Sequence, residues 1–207
     1  MLAIINNGTG NLNAFLNIYQ RNNISAQIAN TASELSKAKK LILPGVGSFD
    51  ETIKSLNASG MRDKLDYLVK EKLVPILGVC VGLQIMAKSS DEGKLPGLGW
   101  IDAKVEKITS KNINSSEKAQ LPIPHLGWNK IEKEKDSNLF SDINDYYFYF
   151  LHSYCIKNIE EHFALSKTFY GERFISSINK NNIYGVQFHP EKSHKSGERF
   201  LLNFANF

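Results

Sequence analysis

The chain has 207 residues, 42% of them hydrophobic and 22% charged, with a net charge of +4. That balance fits one globular domain over residues 1–207 with a sizeable core, and the lysines are scattered too widely to form a basic stripe for nucleic acid. Two cysteines make no disulfide framework, and no apolar run approaches the roughly 18 residues of a membrane span. The N-terminus lacks a charged segment followed by a long apolar one, so a cytoplasmic location is expected.

Leu2 to Ile5 reads as a buried strand. Gly8-Thr9-Gly10 is a turn, and Asn11 to Gln20 has helical spacing at Leu12, Phe15, Leu16 and Tyr19. A dinucleotide fingerprint would require a third glycine where the chain has Asn13. Ala26 to Ala29 is a weaker strand, and Ser33 is expected to cap a short helix. Lys40 to Leu43 is another strand. It runs into Pro44-Gly45-Val46-Gly47-Ser48, a loop whose N–H groups suit an anion or oxyanion, although a plain turn fits it equally well. Helices are predicted over residues 49–56 and 61–72.

Val74 to Val79 has the length and composition of a strand buried on both faces. It leads through Gly78-Val79-Cys80-Val81-Gly82 into a helical pattern at Leu83, Met86 and Ala87. Strand, sharp turn and helix with a nucleophile at the apex define a nucleophile elbow. Gly78 and Gly82 leave room where a Cβ would clash, and a helix N-terminus favours a thiolate. On this run alone, a buried structural cysteine is as good a reading.

Strands alternating with helices through residue 88 imply parallel βαβ units. Gly8, Gly47 and Cys80 then share the rim at the strands' carboxyl ends. The second half is strand-rich, with runs over 100–108, from 127, and over 145–155, 163–168, 173–178 and 183–188, before a last helix over 196–204. The polar stretch 111–120 reads as a surface loop. The expected fold is three-layer α/β, with a mainly parallel central sheet, helices on both faces and an additional antiparallel strand region.

A cysteine nucleophile needs a base and an orienter. His189 lies at the end of the apolar run Gly185-Val186-Gln187-Phe188-His189-Pro190-Glu191. In an extended chain Glu191 would share its face and could accept a hydrogen bond from the imidazole, as in a triad. Read alone, His-Pro-Glu is also an ordinary solvated strand end. His125, His152, His162 and His194 have no partner readable from the sequence. A zinc site from Cys80, Cys155, His189 and His194 is disfavoured by the absence of a CxxC pair.

Together, Pro44-Gly45-Val46-Gly47, Gly78-Val79-Cys80-Val81-Gly82-Leu83-Gln84 and Gln187-Phe188-His189-Pro190-Glu191 resemble the class I (triad) glutamine amidotransferases. The runs Pro124-His125-Leu126-Gly127-Trp128-Asn129, Phe150-Leu151-His152-Ser153-Tyr154 and His189-Pro190-Glu191-Lys192-Ser193 are similar to the branch of glutaminase subunits of imidazole glycerol phosphate synthases. Departures are Asn6-Asn7 in the first loop, Val81 and Leu83 around the nucleophile, and His194.

The resemblance implies that Cys80 attacks the side-chain carbonyl of glutamine, with His189 as acid–base and Glu191 as orienter. It implies an oxyanion hole from the Val46 and Val81 N–H groups. Gly47, Gln84, Glu92, Ser153 and Tyr154 would hold glutamine. No metal or organic cofactor is implied. Ammonia freed into neutral water becomes ammonium, a poor nucleophile, which favours direct transfer to a partner. The implied partner is a (β/α)8-barrel cyclase in a heterodimer, faced by Asn11, Trp128 and Lys192. Similar subunits serve the amidination of bacterial surface sugars, and a cysteine hydrolase acting without a partner is a reading from a different class.

Overall fold

The structure is a computed structural model that describes residues 1–109 and 121–207; the loop expected over 111–120 lies outside the described residues. Its centre is an eight-stranded sheet. Five strands are parallel, in the order β2 (Ala26–Ala29), β1 (Leu2–Ile5), β3 (Lys40–Gly45), β4 (Ile76–Cys80) and β13 (Ile183–Val186). Three more continue it antiparallel: β12 (Glu172–Lys180), β11 (Ala164–Tyr170) and β8 (Glu132–Lys133). A three-stranded sheet joins β5 (Ser89–Ser90), β6 (Lys104–Lys107) and β10 (Tyr154–Ile156), and β7 (His125–Lys130) pairs with β9 (Tyr147–His152) as a separate ribbon.

Strand order reverses at β1, which has β2 on one side and β3 on the other. Right-handed crossovers therefore put α1 (Leu12–Arg21) on one face and α3 (Phe49–Ala58) with α4 (Arg62–Lys70) on the opposite one. The C-terminal helix α6 (His194–Asn206) packs beside α1, and the short α2 (Ala32–Leu35) beside α4. Each long helix buries one stripe, such as Phe15, Ile18 and Tyr19 in α1 and Phe200, Leu201 and Phe204 in α6. The central strands are buried along their whole length, from Leu2 to Ile5 and from Ile76 to Cys80, as a sheet covered on both faces requires.

Several elements differ from the sequence reading. The cap of α2 is Thr31, whose side chain accepts the Glu34 N–H, and not Ser33. The helix after Cys80, α5 (Val81–Gln84), is a single turn. Beyond it, main-chain bonds from Leu98 to Ile85 (2.7 Å) and from Trp100 to Met86 (2.9 Å) take up the carbonyls that would have extended it. The strand expected over 100–108 shrinks to β6, and the aromatic run over 145–155 divides at Ser153 into β9 and β10, which pair in different sheets.

Candidate active site

Cys80 ends β4, the strand between β3 and β13, and its backbone turns at once into α5. Its φ is 54° and its ψ −113°, a left-handed region that a non-glycine residue occupies only when its surroundings force it. The forcing is visible in the neighbouring glycines. A Cβ on Gly82 would stand 1.8 Å from the Leu43 carbonyl oxygen, and one on Gly78 would stand 2.8 Å from Leu83 Cα. The first turn of α5 therefore lies directly on β3 and β4, and Cys80 absorbs the bend.

The adjacent parallel strand β13 delivers the other groups. Its register pairs Val186 with Val79, so Gln187 comes level with Cys80 and its Nε2 lies 3.6 Å from the Cys80 Sγ. Two residues on, His189 Nδ1 bonds Glu191 Oε1 at 2.8 Å, with both side chains buried. Pro190–Lys192 is a turn of 3-10 helix, so the pair meets across a tight turn and not along the extended chain expected from sequence. Ser193 fixes that turn: its Oγ donates to the His189 carbonyl (2.6 Å) and accepts the Tyr149 N–H (3.0 Å). Burial of the His189 ring favours its neutral form. The charge of Cys80, its hydrogen bond and those of Glu191 outweigh burial and raise the pKa from 6.5 to about 10.

Cys80, His189, Val46, Gly47, Val81, Gln84, Glu92, Leu151, His152, Ser153 and Tyr154 line one cavity of about 220 Å³. Cys80 and His189 therefore meet the glycine loop at one cavity, and Glu191 stands behind His189. Gly8 lies at that rim too, but packs against Ser55 and does not line the cavity. Gln84 is buried, its Nε2 bonded to the Tyr154 carbonyl (2.8 Å) and to Gln187 Oε1 (3.1 Å). Glu92 accepts the Phe49 N–H at the start of α3 (2.8 Å). Burial raises its pKa, Phe49 lowers it, and the carboxylates of Asp50 and Glu51 raise it further; the net shift is upward.

The remaining predicted residues lie outside the cavity. Asn11 is exposed and caps α1 through the Ala14 N–H. Lys192 is exposed, 5.7 Å over the Tyr149 ring. Trp128 is 46% exposed and is no part of the core. It stacks on His194 at 5.0 Å. Cys155 is fully buried and absent from the cavity, and burial pushes its thiol well above the ordinary range. Sequence reasoning assigned no role to Gln187, Ser193 or His152, because each has a partner from a distant part of the chain: Gln84 and Cys80, Tyr149, and His125 respectively. Among the described residues no three His, Cys, Asp or Glu side chains cluster as metal ligands would.

A buried cysteine at a strained strand–helix turn, an imidazole raised by that cysteine and a buried carboxylate bonded to the imidazole, on a doubly wound sheet, are the groups that cysteine-nucleophile hydrolysis needs. The glutamine amidotransferase class-I family profile matches residues 3–206, and the chain belongs to that family. It is 46% identical over 206 residues to the imidazole glycerol phosphate synthase subunit HisH of Bdellovibrio bacteriovorus, covering 99% of each chain. It is 44% identical to the subunit of the same name from Leptospira interrogans, covering all of both. Among solved structures, a glutamine amidotransferase superposes with a TM-score of 0.74 at 20% identity, over 100% of this chain and 99% of the other. That likeness confirms the mixed α/β fold.

Proposed function

We propose that this chain, as a single domain, is the glutaminase subunit of an imidazole glycerol phosphate synthase. The observation that carries the chemistry is the buried Cys80–His189–Glu191 constellation opening on one small cavity. His189, its pKa raised to about 10, is basic enough to take the Cys80 proton as the sulfur attacks. Cys80 attacks the glutamine side-chain carbonyl, and the imidazolium protonates the departing ammonia. His189 then takes a proton from water as it opens the thioester to glutamate. Val46 and Val81 N–H groups serve the tetrahedral oxyanion, a contact worth about 2.7–4 kcal/mol per donor in such sites. Gly47, Gln84 and the Ser153–Tyr154 main chain hold the substrate. Glu92, beside two other carboxylates, receives the substrate's ammonium.

Ammonia leaves beside an exposed apolar face. In the ribbon, Leu126 pairs with Leu151, Trp128 with Tyr149 and Lys130 with Tyr147. Leu126, Trp128, Tyr147 and Leu151 are 39–60% exposed, a contiguous patch of the kind that marks a protein contact. We place the barrel cyclase subunit there, with Asn11, Trp128 and Lys192 at the contact, in a cytoplasmic heterodimer. The full-length likeness to subunits of that synthase supports the assignment. The test supplies the purified pair with the imidazole-pathway ribonucleotide and either nitrogen source. Cys80→Ala should stop the glutamine-driven reaction and spare the ammonia-driven one. Amidation of a surface-sugar precursor instead would overturn the pathway and leave the glutaminase. Unaided peptide hydrolysis with no use of glutamine would overturn both.

A further inference from the structure

Two buried histidines outside the catalytic set touch each other. His125 Nδ1 and His152 Nε2 are 3.0 Å apart, and the register of the ribbon pairs the two residues directly. The pair is anchored at both ends on main-chain carbonyls. His152 Nδ1 lies 3.0 Å from the Tyr154 oxygen. At the other end Asn129 Nδ2 bonds His125 Nε2 (3.2 Å) and the Phe169 oxygen (3.0 Å).

Those end points fix every proton between them. A carbonyl only accepts, so His152 Nδ1 carries hydrogen. In a neutral ring its Nε2 is then an acceptor, and His125 Nδ1 must donate to it. His125 Nε2 in turn accepts from Asn129, whose second amide hydrogen goes to Phe169. The Asn129 amide cannot be turned round, because its Oδ1 accepts the Lys130 N–H (2.8 Å) and would otherwise face the Phe169 oxygen. An extra proton on either ring would set two N–H groups against each other. The rings are held in place as well: His125 lies between Phe150 (4.8 Å) and Tyr170 (4.0 Å), and His152 against the edge of Phe174 (5.0 Å).

The far end of this chain is the catalytic cavity. The Tyr154 oxygen that accepts from His152 also accepts from Gln84. Gln84 bonds Gln187, and Gln187 reaches the Cys80 sulfur. We propose that His125 and His152 form a neutral, one-way hydrogen-bonded pair that positions the Tyr154 carbonyl, and with it the Gln84–Gln187 side of the glutamine cavity. They are positioning residues: His152 borders the cavity, and His125 acts only through it. The pair also joins the substrate wall to the ribbon whose opposite face is exposed, since Trp128 and Asn129 are neighbours on β7. Burial of both rings, with the charged His189 near His152, lowers their pKa values to about 4 and about 3, in keeping with two neutral rings.

The inference rests on the glutaminase reading for its kinetic half only. The first measurement needs no turnover: histidine side-chain 15N NMR of the intact protein at pH 7.5. Both rings should show the Nδ1–H tautomer, and His125→Phe, which keeps the stacking, should leave the His152 proton on Nδ1 while moving the His152 Nε2 resonance to that of an acceptor without a donor. The second is glutamine hydrolysis by the complex with its synthase partner. His152→Phe should raise KM for glutamine about tenfold, the order expected for one lost hydrogen bond, with kcat changed less than threefold. His152→Asn, which restores a donor near Nδ1, should recover most of the loss. A charged ring or an Nε2–H tautomer at pH 7.5 would overturn the pair, as would an unchanged KM in a folded His152→Phe protein. If the parent complex releases no glutamate at all, the glutaminase reading fails, and the tautomers still decide whether the pair exists.

Discussion

Gly82 sits on Leu43 so closely that a Cβ at position 82 would stand 1.8 Å from the Leu43 carbonyl oxygen. That contact brings the first turn of α5 down onto β3 and sets the direction in which Cys80 leaves the sheet. Gly82→Ala must lift the turn off the strand. An overpacking cost of about 1–3 kcal/mol is expected, read as a lower thermal midpoint, with labelling of Cys80 by a glutamine-like electrophile lost at temperatures where the chain is still folded. An alanine variant that labels at the parent rate would show that the turn is not what aims the sulfur.

His189 and Glu191 are predicted to act as one unit, since their 2.8 Å bond is buried and set by a single turn. His189→Ala should cost on the order of 10⁴-fold or more in glutaminase kcat. Adding Glu191→Ala to it should cost little further. Multiplied losses in the double variant would remove Glu191 from the orienting role.

Glu92 lines the cavity with its pKa raised by burial against Asp50 and Glu51. A cationic substrate group would relieve that site. Glu92→Gln should raise KM for glutamine while leaving KM unchanged for an analogue lacking the α-amino group. Equal effects on both substrates would assign Glu92 to capping α3 through Phe49 and nothing more.

The paired histidines make folding sensitive to acid. Burial depresses His125 from 6.5 to about 4 and His152 to about 3, the latter with the charges of His125 and His189 adding to the effect. Between pH 6.5 and those values the unfolded chain binds more protons than the folded one. Stability is therefore full above pH 6.5 and falls as pH drops through the window, by at most about 1.4 kcal/mol per pH unit for each group. Urea midpoints at pH 7.5 and 5 should differ less in His125→Phe than in the parent. The same difference in both proteins would place the acid sensitivity elsewhere.

The legible parts of the sequence were those set by short runs. β1 and β4 are uninterrupted apolar stretches, β3 is one after Lys40, and Cys80 between Gly78 and Gly82 advertises its own turn. The glycine loop after Pro44 and the His189–Glu191 pair are equally local. What escaped the reading depends on pairing across distance. Nothing near Ser153 says that Tyr147–His152 will join β7 while Tyr154–Ile156 joins β6. Nothing near Met86 says that its carbonyl will be claimed by Trp100. His125 and His152 are 27 residues apart, and only the register of the ribbon makes them neighbours.

The far edge of the large sheet has its own consequence. β8 is two residues long, Glu132 and Lys133, both exposed, and Glu132 is tied to Arg173 at 2.9 Å. An edge that short and that charged gives an incoming strand almost no ladder to extend. Self-association through this end of the sheet is thereby discouraged, although the same molecule carries an oily ribbon elsewhere. In the assembly we propose, contact with another chain uses the ribbon instead, whose Leu151 also lines the cavity of Cys80.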